Sequence, residues 1–132
     1  MPTLNGAVVL VTGANGGIGT HFVHQALARG AAKVYATART PRAWDDERIV
    51  PLTLDVTDSA SVAGAVAAAP DVTVLINNAG ALPPSASLLD VTEADIRANL
   101  QTNFFAPALS GPVEALYPEL RDPAAALVAV EE

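Results

Sequence analysis

The feature that most constrains the fold is a glycine-rich turn, Thr12-Gly13-Ala14-Asn15-Gly16-Gly17-Ile18-Gly19, which follows the apolar run 7–11 and leads into a predicted helix. Glycines let the backbone turn sharply and approach phosphates without a Cβ in the way. The N-terminus of the following helix offers free N–H groups and the positive end of the helix dipole. The order strand, glycine turn, helix therefore predicts a pyrophosphate-binding site. The residues assigned to it are Gly13, Asn15, Gly17, Ile18 and Gly19, although Asn15 could equally serve only to stabilise the turn.

The second apolar run, 34–38, ends at Arg39, twenty residues beyond Gly19. In a dinucleotide-binding unit the adenosine ribose is bound at this place. An acidic residue would accept hydrogen bonds from the 2′-hydroxyl of NAD, whereas a guanidinium pairs with the 2′-phosphate of NADP. Because no acidic residue occurs here before Asp45, we expect NADP rather than NAD, with Arg39 as the phosphate ligand and Arg42 as a helper. The alternative is that both arginines only solvate a loop.

Composition excludes several classes of function. The 132 residues carry a net charge of −7 with only seven basic residues, and nucleic acids and anionic membranes require clustered Lys and Arg. The absence of cysteine excludes disulfides, thiolate catalysis and zinc–thiolate sites. No charged segment followed by an apolar h-region opens the sequence, and no apolar run reaches about twenty residues. We therefore expect a single cytoplasmic domain, residues 1–132, with a small-molecule cofactor as its partner.

Short apolar runs alternate with segments of helical spacing, which is typical of repeated βαβ units in an α/β fold with a doubly wound parallel sheet. The predicted strands are 6–12, 33–38, 49–54, 71–77 and 125–130, and the predicted helices are 17–29, 58–69 and 93–119. The polar segment 40–48 holds at most a short helical turn. Trp44 in that segment is expected to cover an apolar patch, the alternative being that it stacks on adenine.

Two more strand ends carry candidate binding residues, since ligands bind at the carboxyl edge of open α/β sheets. Asp55 follows the third strand and could accept a hydrogen bond from the adenine amino group, with the Val56 backbone beside it; alternatively, Asp55 caps a loop. The fourth strand ends in Asn77-Asn78-Ala79-Gly80. There the side-chain amides can hold neighbouring backbone and Ala79-Gly80 lets a ligand lie close. We assign Asn77, Ala79 and Gly80 to the cofactor site.

Other polar residues gave weaker signals. Asp58 or Thr57 is suited to cap the helix after Asp55, and the segment 92–95 resembles a capping box with Asp in place of Glu. His21 and His24 are three residues apart on one predicted helix. Since a metal site needs three or four converging ligands, we predict no metal site.

The motifs Thr12-Gly13-x-x-x-Gly17-Ile18-Gly19, Asp55-Val56, Asn77-Asn78-Ala79-Gly80 and Asn103 in Gln101-Thr102-Asn103-Phe104 occur in that order. Together they resemble the short-chain dehydrogenase/reductase family, specifically the amino-terminal half of its classical branch. The resemblance implies a Rossmann-like sheet of about five strands in the order 3-2-1-4-5. It also implies NADP over the carboxyl edges of the strands and Asn103 in the place of the catalytic asparagine.

The sequence departs from the family pattern after the predicted fifth strand. There the family continues with a serine and a Tyr-x-x-x-Lys pair, whereas this chain has Glu131-Glu132. Tyr117 and Arg121 imitate the spacing, but the predicted helix would carry Tyr117 roughly 20 Å from the chemistry. We therefore expect a truncated, NADP-binding part of a hydride-transferring oxidoreductase that is inactive by itself. The alternatives are a non-catalytic NADP-binding or sensing module and a structural scaffold. We also expect a homo-oligomer, formed through the exposed sheet edge or the long helix near 93–119.

Overall fold

A parallel sheet forms the centre of the computed structural model, which describes residues 4–80 and 92–100. Within these ranges the strands are β1 (Val8–Val11), β2 (Lys33–Ala38), β3 (Ile49–Thr53) and β4 (Val74–Ile76). They are ordered β3-β2-β1-β4, and every pairing is parallel. The predicted α/β class and the first four positions of the predicted order are confirmed. The predicted fifth strand, 125–130, lies outside the described residues.

The two crossover helices begin and end close to where the sequence places them. Helix α1 spans Gly17–Ala28 and α2 spans Ser59–Ala68. After α1, the Gly30 amide donates to Leu27 O and the Ala31 amide to Ala26 O, which is the Schellman pattern of a helix end. The Asp58 carboxylate accepts from Ala60 N at 2.9 Å and so caps α2.

A third helix, α3 (Glu93–Leu100), begins at the predicted capping box. Thr92 Oγ1 accepts from Asp95 N at 3.2 Å, and Asp95 Oδ2 accepts from Thr92 N at 2.9 Å. These reciprocal bonds satisfy two backbone donors at the helix start and fix where it begins. The rest of the predicted helix 93–119 lies outside the described residues. Among the described residues, no helix is both long and apolar enough to cross a bilayer.

Strands β1, β2 and β4 are buried on both faces, and within the described residues one helix covers each face. Alternate strand residues point to opposite faces, so Val9 and Val34 pack with Val23 of α1, whereas Leu10 and Leu75 pack with Ala65 of α2. Burial on both sides explains why the central strands are almost continuously apolar rather than alternating. Trp44 is partly buried against the α1 cluster, which confirms its expected role as a cover.

Strand β4 is shorter than predicted, spanning Val74–Ile76 rather than 71–77, and a side chain takes part in the pairing just before it. Thr73 Oγ1 accepts from Val8 N at 3.0 Å, and Thr73 N donates to Val8 O at 2.8 Å. The hydroxyl thus bonds a backbone amide that a regular ladder would pair with backbone. The segment 40–48 contains no helix, as its polar, proline-marked sequence indicated.

Strand β3 is an edge of the sheet within the described residues, and Pro51 lies in its middle. Leu54 N donates to Ala38 O of β2, so the amides at alternate positions, 52 and 50, face β2 and position 51 faces outward. Proline has no N–H, and it therefore removes a donor from the free edge.

Candidate functional site

The glycine turn passes close to the end of β4, and this contact dictates two of its glycines. Gly13 has a φ of +66°, and a Cβ there would lie 2.9 Å from Ala79 Cα. A Cβ at Gly19 would lie 2.8 Å from Asn78 Nδ2 and would overlap Gly13 O. Side chains at these two positions would push the turn and the β4 end apart.

A third glycine faces open space instead. A Cβ at Gly17 would meet nothing within 4 Å. The preceding residue, Gly16, is the N-cap of α1 and supplies no side-chain hydrogen bond. No described residue accepts from the amides of Gly17, Ile18 or Gly19. The first amides of a helix have no intrahelical acceptor, so this end of α1 presents free donors and its positive dipole end to an anion.

The buried hydroxyl of Thr12 joins the turn to the β4 end. Thr12 Oγ1 accepts from Asn78 N and Ala79 N, each at 2.9 Å, and donates to Ile76 O at 3.4 Å. The Asn78 side chain returns along the same path, with Nδ2 donating to Thr12 O at 3.1 Å and to Gly13 O at 3.2 Å. The expectation that an asparagine at this strand end holds neighbouring backbone is met by Asn78.

These elements border a cleft of about 990 Å³ at the carboxyl edge of the sheet. It is lined by Gly13, Asn15, Gly16, Gly17, Ile18, Gly19, Ala38, Arg39, Thr40, Leu54, Asp55, Val56, Thr57, Asn78, Ala79 and Gly80. Every cofactor-binding residue predicted from the sequence is in this set except Asn77, which is exposed, and Arg42, the predicted helper of Arg39. Sequence reasoning did not select Thr40, Thr57 or Asn78. The predicted catalytic residue Asn103 lies outside the described residues.

Arg39 and Asp55 form the charged part of the cleft. Arg39 is exposed, and its side chain makes no hydrogen bond or ion pair with the part of the chain that the structure describes. Asp55 Oδ1 accepts from Thr57 N at 2.9 Å and from Thr57 Oγ1 at 2.6 Å. These two hydrogen bonds, with a smaller contribution from the charge of Arg39, lower the pKa of the Asp55 carboxyl. Asp55 therefore caps its loop with one oxygen and still reaches the cleft as an anion.

Arg42 lies outside the cleft lining. Its Nη2 donates to Thr20 Oγ1 at 3.2 Å, and its guanidinium carbon is 3.8 Å from the centre of the Trp44 ring. The Trp44 ring also contacts His24, whose ring lies edge to face with it at a centroid distance of 5.8 Å. Trp44 is likewise absent from the cleft lining, so the geometry favours the covering role over adenine stacking. The described residues contain no group of three or more potential metal ligands.

The amino ends of the strands carry a separate polar cluster. Lys33 Nζ pairs with Asp71 Oδ2 at 2.5 Å, and Tyr35 donates its hydroxyl to Asp71 Oδ1 at 2.7 Å. Hydrogen bonds from both partners lower the pKa of Asp71, and the bond to Asp71 raises the pKa of Lys33. Lys33 is thus engaged at the opposite edge of the sheet from the cleft.

Comparison with known proteins gives consistent matches. A family model described as short chain dehydrogenase matches residues 7–130. An uncharacterized short-chain type dehydrogenase/reductase of Sinorhizobium fredii is 41% identical over 100 residues, which are 73% of this chain and 40% of the relative. The crystal structure of a short chain dehydrogenase from Burkholderia cenocepacia J2315 in complex with NADP matches with a TM-score of 0.73 and 36% identity, over 90% of this chain and 49% of its own.

An NADPH-bound carbonyl reductase from chicken fatty liver matches with a TM-score of 0.74 and 34% identity, over 91% of this chain and 50% of its own. The chain therefore spans half or less of the length of these three proteins.

Proposed function

The chain belongs to the short-chain dehydrogenase/reductase family, and from that premise we propose that its cleft binds NADP(H). The whole protein would be an oxidoreductase that transfers hydride between the nicotinamide and a carbonyl or alcohol. In this proposal the described residues bind and orient the cofactor. Asn103 is proposed as a catalytic residue from its motif alone.

The observation that carries the proposal is the open end of α1. Three amides that have no acceptor among the described residues, and a glycine whose Cβ direction is empty there, border a cleft large enough for a dinucleotide. Backbone donors at a helix N-terminus complement a pyrophosphate. The bound cofactor would supply or take up the hydride, and Gly13, Gly17 and Gly19 would give its phosphates close access to the backbone.

Preference for NADP over NAD is argued from the two charged residues. Arg39 has no partner among the described residues and is free to pair with a 2′-phosphate. Asp55 remains an anion at neutral pH, and its second oxygen is available to accept from an adenine amino group. The relatives bound to NADP and NADPH support the same choice.

The test compares two substitutions at Gly17 by calorimetric titration with NADPH. In Gly17→Asp the new carboxylate would stabilise the start of α1 by about 0.3–1 kcal/mol while repelling the pyrophosphate. Gly17→Asn places a side chain of the same shape without the charge. We expect Gly17→Asp to melt at or above the temperature of the parent chain, yet to bind NADPH at least about tenfold more weakly than Gly17→Asn. Two like charges about 5 Å apart repel by roughly 3 kcal/mol at an effective dielectric constant of about 20, and about 1.4 kcal/mol corresponds to tenfold in affinity.

Equal NADPH affinity in the two variants would contradict phosphate binding at this helix end. A parent chain that is folded and binds neither NADPH nor NADH at millimolar concentration would remove the proposal altogether.

A further inference from the structure

The loop between β2 and β3, residues 39–48, is tied to the glycine turn and to α1 by side chains. Three contacts, here called the loop anchors, pair Asn15 with Thr40, Arg42 with Thr20, and Trp44 with His24. No helix within the loop holds it in place. Its position therefore depends on these anchors and on the packing of Trp44 against the core.

One anchor lies inside the cleft. Asn15 Nδ2 donates to the backbone carbonyl of Thr40 at 2.7 Å, and both residues line the cleft beside Arg39. An asparagine that only stabilised its own turn would bond to backbone about two residues away. This bond instead spans 25 residues and fixes the Thr40–Pro41 peptide, one residue beyond Arg39.

We propose that Asn15 is a specificity-determining positioning residue that sets the preference for a 2′-phosphate by holding the backbone that carries Arg39. The inference rests on the proposed function. The Arg39 side chain has no partner of its own among the described residues, so the backbone alone directs it. An arginine on an unanchored loop must be ordered by the ligand, and part of the pairing energy is then lost to conformational entropy.

The experiment uses two probes that differ only in the 2′-phosphate, 2′,5′-ADP (adenosine 2′,5′-bisphosphate) and 5′-AMP. Both are titrated by calorimetry into the parent chain, Asn15→Ala, Arg39→Ala and the double variant. Gln25→Ala, on the exposed side of α1 away from the cleft lining, is the matched control. We expect Asn15→Ala to weaken 2′,5′-ADP binding about three- to tenfold, the loss of one hydrogen bond, and to leave the affinity for 5′-AMP unchanged.

The double variant tests whether Asn15 acts through Arg39. With Arg39 already removed, Asn15→Ala should cause no further loss of 2′,5′-ADP affinity. Trp44, the one tryptophan of the chain, reports on the loop, and acrylamide should quench its fluorescence more readily in Asn15→Ala than in Gln25→Ala. A purely structural role would not move the ratio of the two affinities.

Three results would overturn the inference. An equal loss of affinity for both nucleotides would mean that Asn15 shapes the phosphate turn as a whole, while the proposed function would stand. An undiminished effect of Asn15→Ala in the Arg39→Ala background would mean that Asn15 contacts the ligand directly. A folded parent chain that binds neither probe would overturn this inference and the proposed function together.

Discussion

The substitution Thr12→Val tests the hydroxyl that joins the glycine turn to the end of β4. Valine has the shape of threonine without the hydroxyl, and Thr12 is only 4% exposed, so water cannot replace it fully. The amides of Asn78 and Ala79 would lose their acceptor, and Ile76 O would lose a long, weak donor. A buried donor left unpaired costs about 1–3 kcal/mol.

Asn78 and Ala79 are partly exposed, so the lower end of that range applies to each amide. We therefore expect Thr12→Val to lower the free energy of unfolding by about 2 kcal/mol, or the melting temperature by roughly 8 °C for a chain of this size. The same loss frees the Ala79–Gly80 wall of the cleft, so NADPH affinity should fall as well.

The matched control is Thr37→Val. Thr37 is fully buried, and its hydroxyl makes one bond, donating to Val11 O at 2.8 Å. The loss of this single bond should reduce stability by about 1 kcal/mol or less. Both variants are compared with the parent by urea unfolding followed by circular dichroism. Equal destabilisation of the two variants would refute the idea that the Thr12 hydroxyl fixes the end of β4.

Three further predictions address charge and the sheet edge. Arg39→Asp should weaken NADPH binding by about tenfold or more without weakening NADH binding. The same charge change in Arg29→Asp, at the far end of α1, should leave the ratio of NADPH affinity to NADH affinity unaltered. Calorimetric titration measures both affinities. Asp71→Asn should be less stable than the parent at pH 7. Because the pKa of Asp71 is lowered on folding, its contribution is present above about pH 4 and is lost as the pH falls through the folded value, so melting curves at decreasing pH should converge. Because the pKa of Lys33 is raised on folding, the stability that Lys33 contributes is lost only above about pH 10. A difference in melting temperature between Asp71→Asn and the parent that persisted to pH 2 would contradict a stabilising role for the Asp71 carboxylate. Pro51→Val restores an outward N–H to the β3 edge and should increase self-association in light scattering; an unchanged scattering profile would show that Pro51 does not protect the edge.

The order of the elements was predictable because the central strands are buried on both faces. Full burial makes the central strands continuously apolar, and the runs 7–11 and 34–38 stand out against polar turns. The starts of α2 and α3 were predictable because their capping bonds are local. Asp58 and the pair Thr92 and Asp95 bond to backbone two or three residues away. Such bonds are contained in a short stretch of sequence.

Contacts between distant segments were not predictable in the same way. Asn15 and Thr40 are 25 residues apart, and Thr12 and Asn78 are 66 apart. Their pairing depends on strand register and on the loop path, which no local pattern encodes. The sequence therefore located the glycine turn but left open whether Asn15 served the ligand or the turn, and the structure adds the loop after β2 as its partner.

The two neighbouring asparagines at the end of β4 show where register could have sharpened the sequence reasoning. Side chains alternate between the faces of a sheet, and Ile76 packs on the face covered by α1. Position 78 has the same parity as position 76, and Asn78 is the residue whose amide reaches the glycine turn that leads into α1. Asn77 has the opposite parity and is exposed. Knowing only that α1 covers the face of Ile76 would have selected Asn78 over Asn77 as the residue that holds the turn.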